Sequence, residues 1–510
     1  MIGLKRLSGI SRWQLIVLCS ALMIASCGRK APDQPGEMIL ARIGDKTISV
    51  NEFIRRAEYT IRPIYCKQDN YIHRKIILNS LIAEKLLALE AGTDNELVQN
   101  EEFRNYIRGR QEQAMRQYFY HDKAYNKVEP DTAEIKRVYK LAGRSYRIQY
   151  LRLPDENSVA AFMKLHRQDG IPFDSLAMDI LDDSIIPERQ INFNDDLSSE
   201  FFDIFYSKPL EKDQLIGPVK NEDNSFLIMK VAGWKTNVVI SDEEIKKRWN
   251  DVRDKLKNIA VNRLYAQQVS ELMKGKRLEF SEDTFYRLTD ILAPLYLKSM
   301  QDKKAAFNQK FWGKEVEVDL DTIYDQSIES LRQKPLFTLD GIVWTVADFE
   351  KALQSHPLVF RKRQFSSKEF PEQFKFAVAD LARDIYINRE AYKAGYNNVP
   401  VVKNYGNMWH DNLVSMHWRN EYLKRAGFQG NFGKDYMAAI EDYLNPYVDS
   451  LQQKYSHLIE INTAAFEKIK LTNIDMFALQ RNVPYPIVSP SFPILTTDNK
   501  LDYGRKMIVK

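Results

Sequence analysis

Cysteine is nearly absent from this sequence, with three residues in 510, at positions 19, 27 and 66. Cys19 and Cys27 belong to the N-terminal apolar run and its end, so Cys66 stands alone in the rest of the chain. A disulfide framework is not expected on that count, nor is a thiolate-rich zinc site. Histidine is scarce too, at seven residues, and the only close pair, His410 and His417, reads as one solvated helix face. The 20 glycines are spread too thinly for phosphate-cradling loops, and neither Gly-x-Ser-x-Gly nor His-Glu-x-x-His occurs. These absences argue against nucleophilic and metal-dependent catalysis, and no cofactor or metal site is expected. An excess of one charge is missing as well. The formal net charge is +5, and no basic stripe of the kind that binds nucleic acid is present.

What is present begins at the N-terminus. Lys5, Arg6 and Arg12 precede an apolar run from Trp13 to Ile24, and no acidic residue occurs before Asp33. That run is shorter than the ~20 residues needed to span a bilayer, so residues 1–26 read as a secretory signal. It ends Ile24-Ala25-Ser26-Cys27, which resembles a lipobox. The resemblance implies cleavage before Cys27 and lipid attachment to it. Gly28 follows in place of the Asp that retains some lipoproteins at the inner membrane, so the expected location is the periplasm, anchored at the outer membrane. Residues 27–38, with Pro32 and Pro35, would be a polar tether. Loss of the signal removes three basic residues and no acidic ones, bringing the charge close to balance. The remaining chain is long enough for about three or four domains.

A repeat organises the middle of the chain. Ile43-Gly44-Asp45-Lys46-Thr47-Ile48-Ser49-Val50-Asn51-Glu52-Phe53 aligns without a gap with Leu339-Asp340-Gly341-Ile342-Val343-Trp344-Thr345-Val346-Ala347-Asp348-Phe349. Each copy reads as a strand, a Gly/Asp turn, a second strand and a helix opened by a capping pair, Ser49 with Glu52 and Thr345 with Asp348. The helices that follow also match, Leu81 to Ala91 with Leu381 to Ala391. This unit resembles the N-terminal region of the SurA and PrsA families of periplasmic and surface foldases, in which it forms a lobe that cradles unfolded clients. The expected lobes are 39–143 and 336–430.

Between the copies, residues 144–236 carry strand-like ends around two helical stretches. Tyr146 to Leu153 and Phe226 to Val231 are rich in β-branched and aromatic residues, whereas Val159, Phe162, Met163 and Leu165, then Phe173, Leu176, Ala177 and Ile180, recur at helical spacing. The order resembles the parvulin domain of peptidyl-prolyl isomerases. Alignment by hydrophobic pattern puts Gln149 and Leu227 where parvulins carry two histidines beneath the proline ring. It puts Asp182 or Asp183 at the central-loop acidic or cysteine position, and Leu197 and Phe201 at the Met and Phe of the proline pocket. The resemblance therefore implies a proline-pocket or client-binding site of Gln149, Asp182, Leu197, Phe201 and Leu227, with no confident catalytic residue. Prolyl isomerisation needs no acid, base or metal. It needs a site that favours the twisted amide over a planar one, across a barrier of roughly 18–20 kcal/mol.

Residues 237–335 read as a helical segment that completes the first lobe and links onward. It opens with the capping box Ser241-Asp242-Glu243-Glu244 and the stripe Ile245, Trp249, Val252, Leu256 and Ile259, and runs to a short strand near Arg277-Leu278-Glu279-Phe280. Residues 431–510 read as amphipathic helices from Tyr436 to Leu471, then a strap. There Pro484, Pro486, Pro490 and Pro493 interleave with Tyr485, Ile487 and Phe492, which forbids a helix and favours an extended polyproline-like course. The expected fold is mainly α, with a small α+β parvulin-like domain and duplicated hairpin-plus-helices lobes. The expected function is a lipid-anchored periplasmic foldase or chaperone that binds unfolded secreted or outer-membrane proteins, with peptidyl-prolyl cis-trans isomerase activity in question because the histidines are absent. The alternative is a non-catalytic scaffold lipoprotein that holds one fixed partner.

Overall fold

The computed structural model describes residues 37–182, 185–221, 224–297, 326–362, 365–471, 485 and 488–507; Cys27, Asp183, Pro484 and Pro486 lie outside them. The fold is mainly helical with small sheets. In chain order, β1 (Ile39–Ile43) and β2 (Lys46–Ser49) form a hairpin, followed by α1 (Val50–Glu58), α2 (Tyr71–Ala91) and α3 (Glu101–Lys123). Next come α4 (Thr132–Ala142), β3 (Arg144–Leu153), α5 (Glu156–Arg167), α6 (Phe173–Leu181), β4 (Glu188–Ile191), α7 (Ser199–Tyr206), β5 (Leu215–Lys220), β6 (Phe226–Thr236) and the long α8 (Asp242–Met273). The chain continues through β7 (Leu278–Phe280), α9 (Glu282–Tyr296), the hairpin β8 (Pro335–Leu339) and β9 (Ile342–Thr345), then α10 (Val346–Ser355), α11 (Phe370–Lys393) and α12 (Pro400–Arg425). It closes with α13 (Phe432–Ala439), α14 (Asn445–Lys454), β10 (Ile459–Ile461) and β11 (Arg505–Lys506).

Two compact units result. One is Met1–Tyr118 with Gly275–Lys510, the other Phe119–Lys274.

In the first unit the repeat is visible element by element. Gly44 (φ 60) turns the first hairpin and Asp340 with Gly341 (φ 51 and 79) the second, all in the left-handed region that suits Gly and Asp. Thr345 and Asp348 cap α10 reciprocally. At α1 only half of that exchange forms. Ser49 accepts from the Glu52 amide at 3.0 Å, but the Glu52 carboxylate turns inward to Lys85 at 3.0 Å.

Each hairpin is completed by a strand from outside its own copy. β10 pairs antiparallel with β1, placing Ala41 against Ile461 and Ile43 against Ile459. β7 pairs with β8, placing Leu278 against Leu339 and Phe280 against Phe337. The strand near Leu278, expected to return to the first lobe, therefore closes the second. The outer edge of β1 is already taken by β10, from a stretch expected to be helical throughout.

The helices follow the same reciprocity. α2 packs against α12. α3 meets α11, where Arg116 Nη1 donates to Asn388 Oδ1 at 3.0 Å and Asn388 Nδ2 to Glu112 Oε2 at 3.0 Å. The second helix of each copy thus packs on the third helix of the other, the rule of an isologous dimer carried out within one chain. The core joins both ends of the sequence. Leu40, Ile43, Phe53, Leu81 and Leu86 share one cluster with Val448, Ile459, Phe492 and Leu495.

The second unit is an antiparallel sheet in the order β4-β3-β6-β5. One face packs on α5 and α6 through Leu151, Leu153, Phe162, Phe173 and Ile228. The other packs on α4, α7 and α8 through Tyr146, Ile148, Phe205, Met229 and Val231. Val252 and Leu256 of the α8 stripe are buried in that second cluster and Trp249 and Ile259 pack at its margin, so the stripe closes the unit that α8 itself belongs to. Ile245 stays 41% exposed.

Candidate functional site

Side chains of successive strand residues point to opposite faces, and residues directly across a ladder share a face. β3 and β6 pair Gln149 with Lys230, Tyr150 with Met229, Leu151 with Ile228 and Arg152 with Leu227. Gln149 therefore faces α5 and α6, where its cross-strand neighbour Lys230 reaches Asp174. Leu227 faces the other way, toward α7. The two positions expected to lie together beneath a proline ring are on opposite sides of the sheet. The physical reason is the period of two: a slip of one residue in aligning β3 moves a side chain to the other face. The residues of β3 that share Leu227's face include Tyr146, Ile148, Tyr150 and Arg152.

The remaining candidates divide accordingly. Leu197 and Phe201 pack with Tyr150, Ile204 and Leu227 as half-buried residues on the edge of one cluster. Ser198 caps α7 by accepting from the Phe201 amide at 3.3 Å, which sets Phe201 in the first turn. Its ring stacks on Phe205 with centroids 6.4 Å apart and planes at 10°. Arg152 lies across from Leu227, its Nε donating to Ser225 Oγ at 2.8 Å. Tyr150, Leu197, Phe201 and Leu227 thus form a half-exposed apolar face. It holds no imidazole, thiol or carboxylate among these residues, so it can hold an apolar group, and the Tyr150 phenol is the one titratable group among the four.

Gln149 instead lines a cleft of about 490 Å³ with Asp174, Met178, Ile185, Ile186, Pro187 and Glu188. Its Nε2 donates to Glu188 Oε1 at 2.9 Å, and its Oε1 is buried with no hydrogen-bond partner among the described residues. Asp182 belongs to neither place. It ends α6 in the left-handed conformation (φ 50), with its side chain exposed.

The first unit holds a feature that the repeat alone does not announce. Arg56 and Glu84 are fully buried, and Lys85 Nζ lies 3.0 Å from Glu52 Oε1 and 3.2 Å from Asp411 Oδ2. Burial works against the Lys85 ammonium, but Glu52, Asp411 and Glu84 outweigh it and push its pKa above the ordinary lysine value. A Glu-Lys pair inside the otherwise apolar run from Leu81 to Leu89 was the available signal, since charges in such a run are buried only when paired.

Among the described residues no cluster of three or more His, Cys, Asp or Glu could hold a metal ion, and no helix is long and apolar enough to cross a membrane. No protein-family model matches the chain, and no curated protein is significantly similar to it.

Proposed function

We propose that this chain is an exported, lipid-anchored chaperone that holds extended segments of unfolded secreted or outer-membrane proteins, and that its second unit is a parvulin-like domain without the parvulin histidines. The observation that carries the reading is the half-exposed apolar face of Tyr150, Leu197, Phe201 and Leu227 on one side of the β3–β6 ladder. Such a face offers contact area to an apolar or prolyl side chain and little else, which suits retention of a client more than turnover. Isomerase activity, if this face supplies it, comes from shape alone.

The test uses residues 28–510 in two assays, suppression of aggregation of a denatured client and the cis-to-trans rate of a short X-Pro peptide. Suppression without rate enhancement identifies a holdase; both together identify a foldase. Phe201→Asp and Leu227→Asp are expected to weaken client retention, whereas Gln149→Ala, on the opposite face, leaves it unchanged. Loss of retention in folded Gln149→Ala with none in Leu227→Asp would move the site to the Gln149 cleft. Absence of suppression in the unaltered protein would sink the chaperone reading.

A further inference from the structure

From Val488 to Ile494 the strap crosses the first unit, and its main-chain carbonyls, with that of Tyr485 ahead of them, are caught by side chains. Gln117 Nε2 donates to Tyr485 O at 3.2 Å, and the Tyr405 hydroxyl to Val488 O at 2.6 Å. Arg56 Nη2 and Asn412 Nδ2 both donate to Ser491 O, at 2.6 and 3.1 Å. Arg419 Nη1 reaches Ile494 O at 3.5 Å, the longest of the set. The captured carbonyls fall at every third residue. Three residues per turn is the period of polyproline II, in which every third carbonyl points the same way.

The donors come from both copies of the repeat, Arg56 and Gln117 from the first and Tyr405, Asn412 and Arg419 from the second. None of these hydrogen bonds uses a strap N–H, so each is compatible with proline in the bound chain, and Pro490 and Pro493 are themselves buried. Recognition through carbonyls alone is indifferent to most side chains. It is therefore suited to many extended sequences.

The strap is held unevenly. Phe492 and Leu495 are buried in the core and Thr496 is fully enclosed, which anchors the second half. In the first half Tyr485 and Pro490 are buried as well, but Val488 and Ser489 are half-buried and Ser491 is exposed, so that half reaches solvent at three of its five described residues.

We infer that this groove is a binding site for extended, proline-containing polypeptide and that residues 488–491 are its resident occupant, which an incoming segment displaces. The identity of the incoming segment as an unfolded client rests on the function proposed above; the groove's preference for a polyproline II backbone rests on the carbonyl spacing. A tethered occupant competes at an effective concentration on the millimolar scale. Firmer tethering should therefore weaken binding of an added chain, and looser tethering should strengthen it.

Both directions are accessible in residues 28–510, with fluorescein-labelled decaproline as the probe. Ser491 Oγ lies 3.9 Å from Met416 Sδ. Because a cysteine sulfur at position 416 sits one bond short of that Sδ, Ser491→Cys with Met416→Cys is joined through the two-carbon cross-linker 1,2-ethanediyl bismethanethiosulfonate, whose two disulfides staple the strap in the oxidised state and are removed by reduction. The oxidised protein is expected to bind decaproline at least ~10-fold more weakly than the same protein after reduction. Equal affinity in the two states would overturn the inference. Tyr485→Phe removes a hydroxyl that donates to Asp384 Oδ1 at 2.9 Å and leaves every groove donor in place. It is expected to tighten decaproline binding about ten- to a hundredfold, the weight of one hydrogen bond to a charged acceptor. Unchanged or weaker binding by this folded variant would also overturn it.

Carboxymethylated α-lactalbumin, run in parallel, separates the two readings. If it is held equally with and without the staple, the client is held outside the groove and the chaperone reading stands, the groove itself falling only if decaproline also binds equally in the two states. If neither state holds it while decaproline responds as expected, the groove stands and the chaperone reading falls.

Discussion

Arg56 and Glu84 face each other as a two-pronged ion pair, Nη1 to Oε1 at 3.0 Å and Nη2 to Oε2 at 2.7 Å, with both side chains wholly removed from solvent. Around them Lys85 and Lys46 share Asp411, at 3.2 and 2.7 Å, and Glu52 takes the remaining side of Lys85. Three cations thus meet three carboxylates, and Asn412 adds a 2.8 Å hydrogen bond to Glu84. The network ties α1 and α2 of the first copy to α12 of the second. Breaking a buried pair from one side strands a charge, which costs more than the pair contributes to stability.

Glu84→Gln keeps the volume and removes the charge, leaving Arg56 and Lys85 with an excess of positive charge. The first unit is expected to lose about 3–5 kcal/mol, read as a lower urea midpoint. Adding Arg56→Met should recover part of that loss, because the stranded guanidinium goes with it. A loss under ~1 kcal/mol in the single variant would mean that water or rearrangement satisfies Arg56.

Acid sensitivity should centre on Asp384. Burial pushes its carboxyl up, but a 2.8 Å contact with His356 Nε2 and the charges of Arg116 and Arg383 hold it down at about 2. In the unfolded chain an Asp titrates near ~3.9. Between those values the unfolded state binds more protons, so the stabilisation is complete above the unfolded pKa and is lost as pH falls toward about 2. The urea midpoint of the native protein should therefore fall through that window more steeply than that of Asp384→Asn. The two curves should converge near its lower end. Parallel curves would assign the acid limb to other carboxylates.

At Gly109 two effects oppose each other and their sizes decide the outcome. Alanine is the better helix former by ~1 kcal/mol. Yet a Cβ on Gly109 would lie 1.9 Å from the Ser355 main-chain oxygen, where α3 crosses the end of α10. Backbone cannot yield as a side-chain tip does, so overpacking should win, with a net loss of about 1–3 kcal/mol or more. Thermal unfolding of Gly109→Ala checks the sign. A raised midpoint would mean that the helices separate at little cost.

What was legible in the sequence was local. The turns at Gly44 and Gly341, the hydroxyl caps at Ser49 and Thr345, and the apolar spacing of α5 and α6 are each set within a few residues, and the structure has them in place. The absence of helix and strand from the described strap residues likewise follows from its prolines. What was not legible was pairing. The choice of β10 for β1 and of β7 for β8 depends on which edges are free once both copies fold. No single hairpin encodes that. That Gln149 lies on the face opposite Leu227 was not legible for a related reason. Tyr146-Arg147-Ile148-Gln149-Tyr150 alternates, but Leu151 and Leu153 reverse the phase, because β3 packs on one cluster at its start and on the other at its end, and such a strand does not reveal a single inward side.

The pairing of β10 with β1 also predicts how stability is distributed. Ile459 and Ile461 are buried at the first hairpin, and the main chain continues the seam, with the Asn462 amide donating to Leu40 O at 2.8 Å and the Gly44 amide to Leu458 O at 3.0 Å. Replacing Ile459 by Ala should cost about 2–4 kcal/mol, as a buried large-to-small change. The effect should appear in a strand more than 400 residues away in the sequence: amides of β1 lose hydrogen-exchange protection, while those of β8, closed by β7, keep theirs. Equal loss at both hairpins would mean that the two copies open as one cooperative body. In that case the reciprocal packing of α2 on α12 and α3 on α11, rather than the strand seams, would set the unit of unfolding.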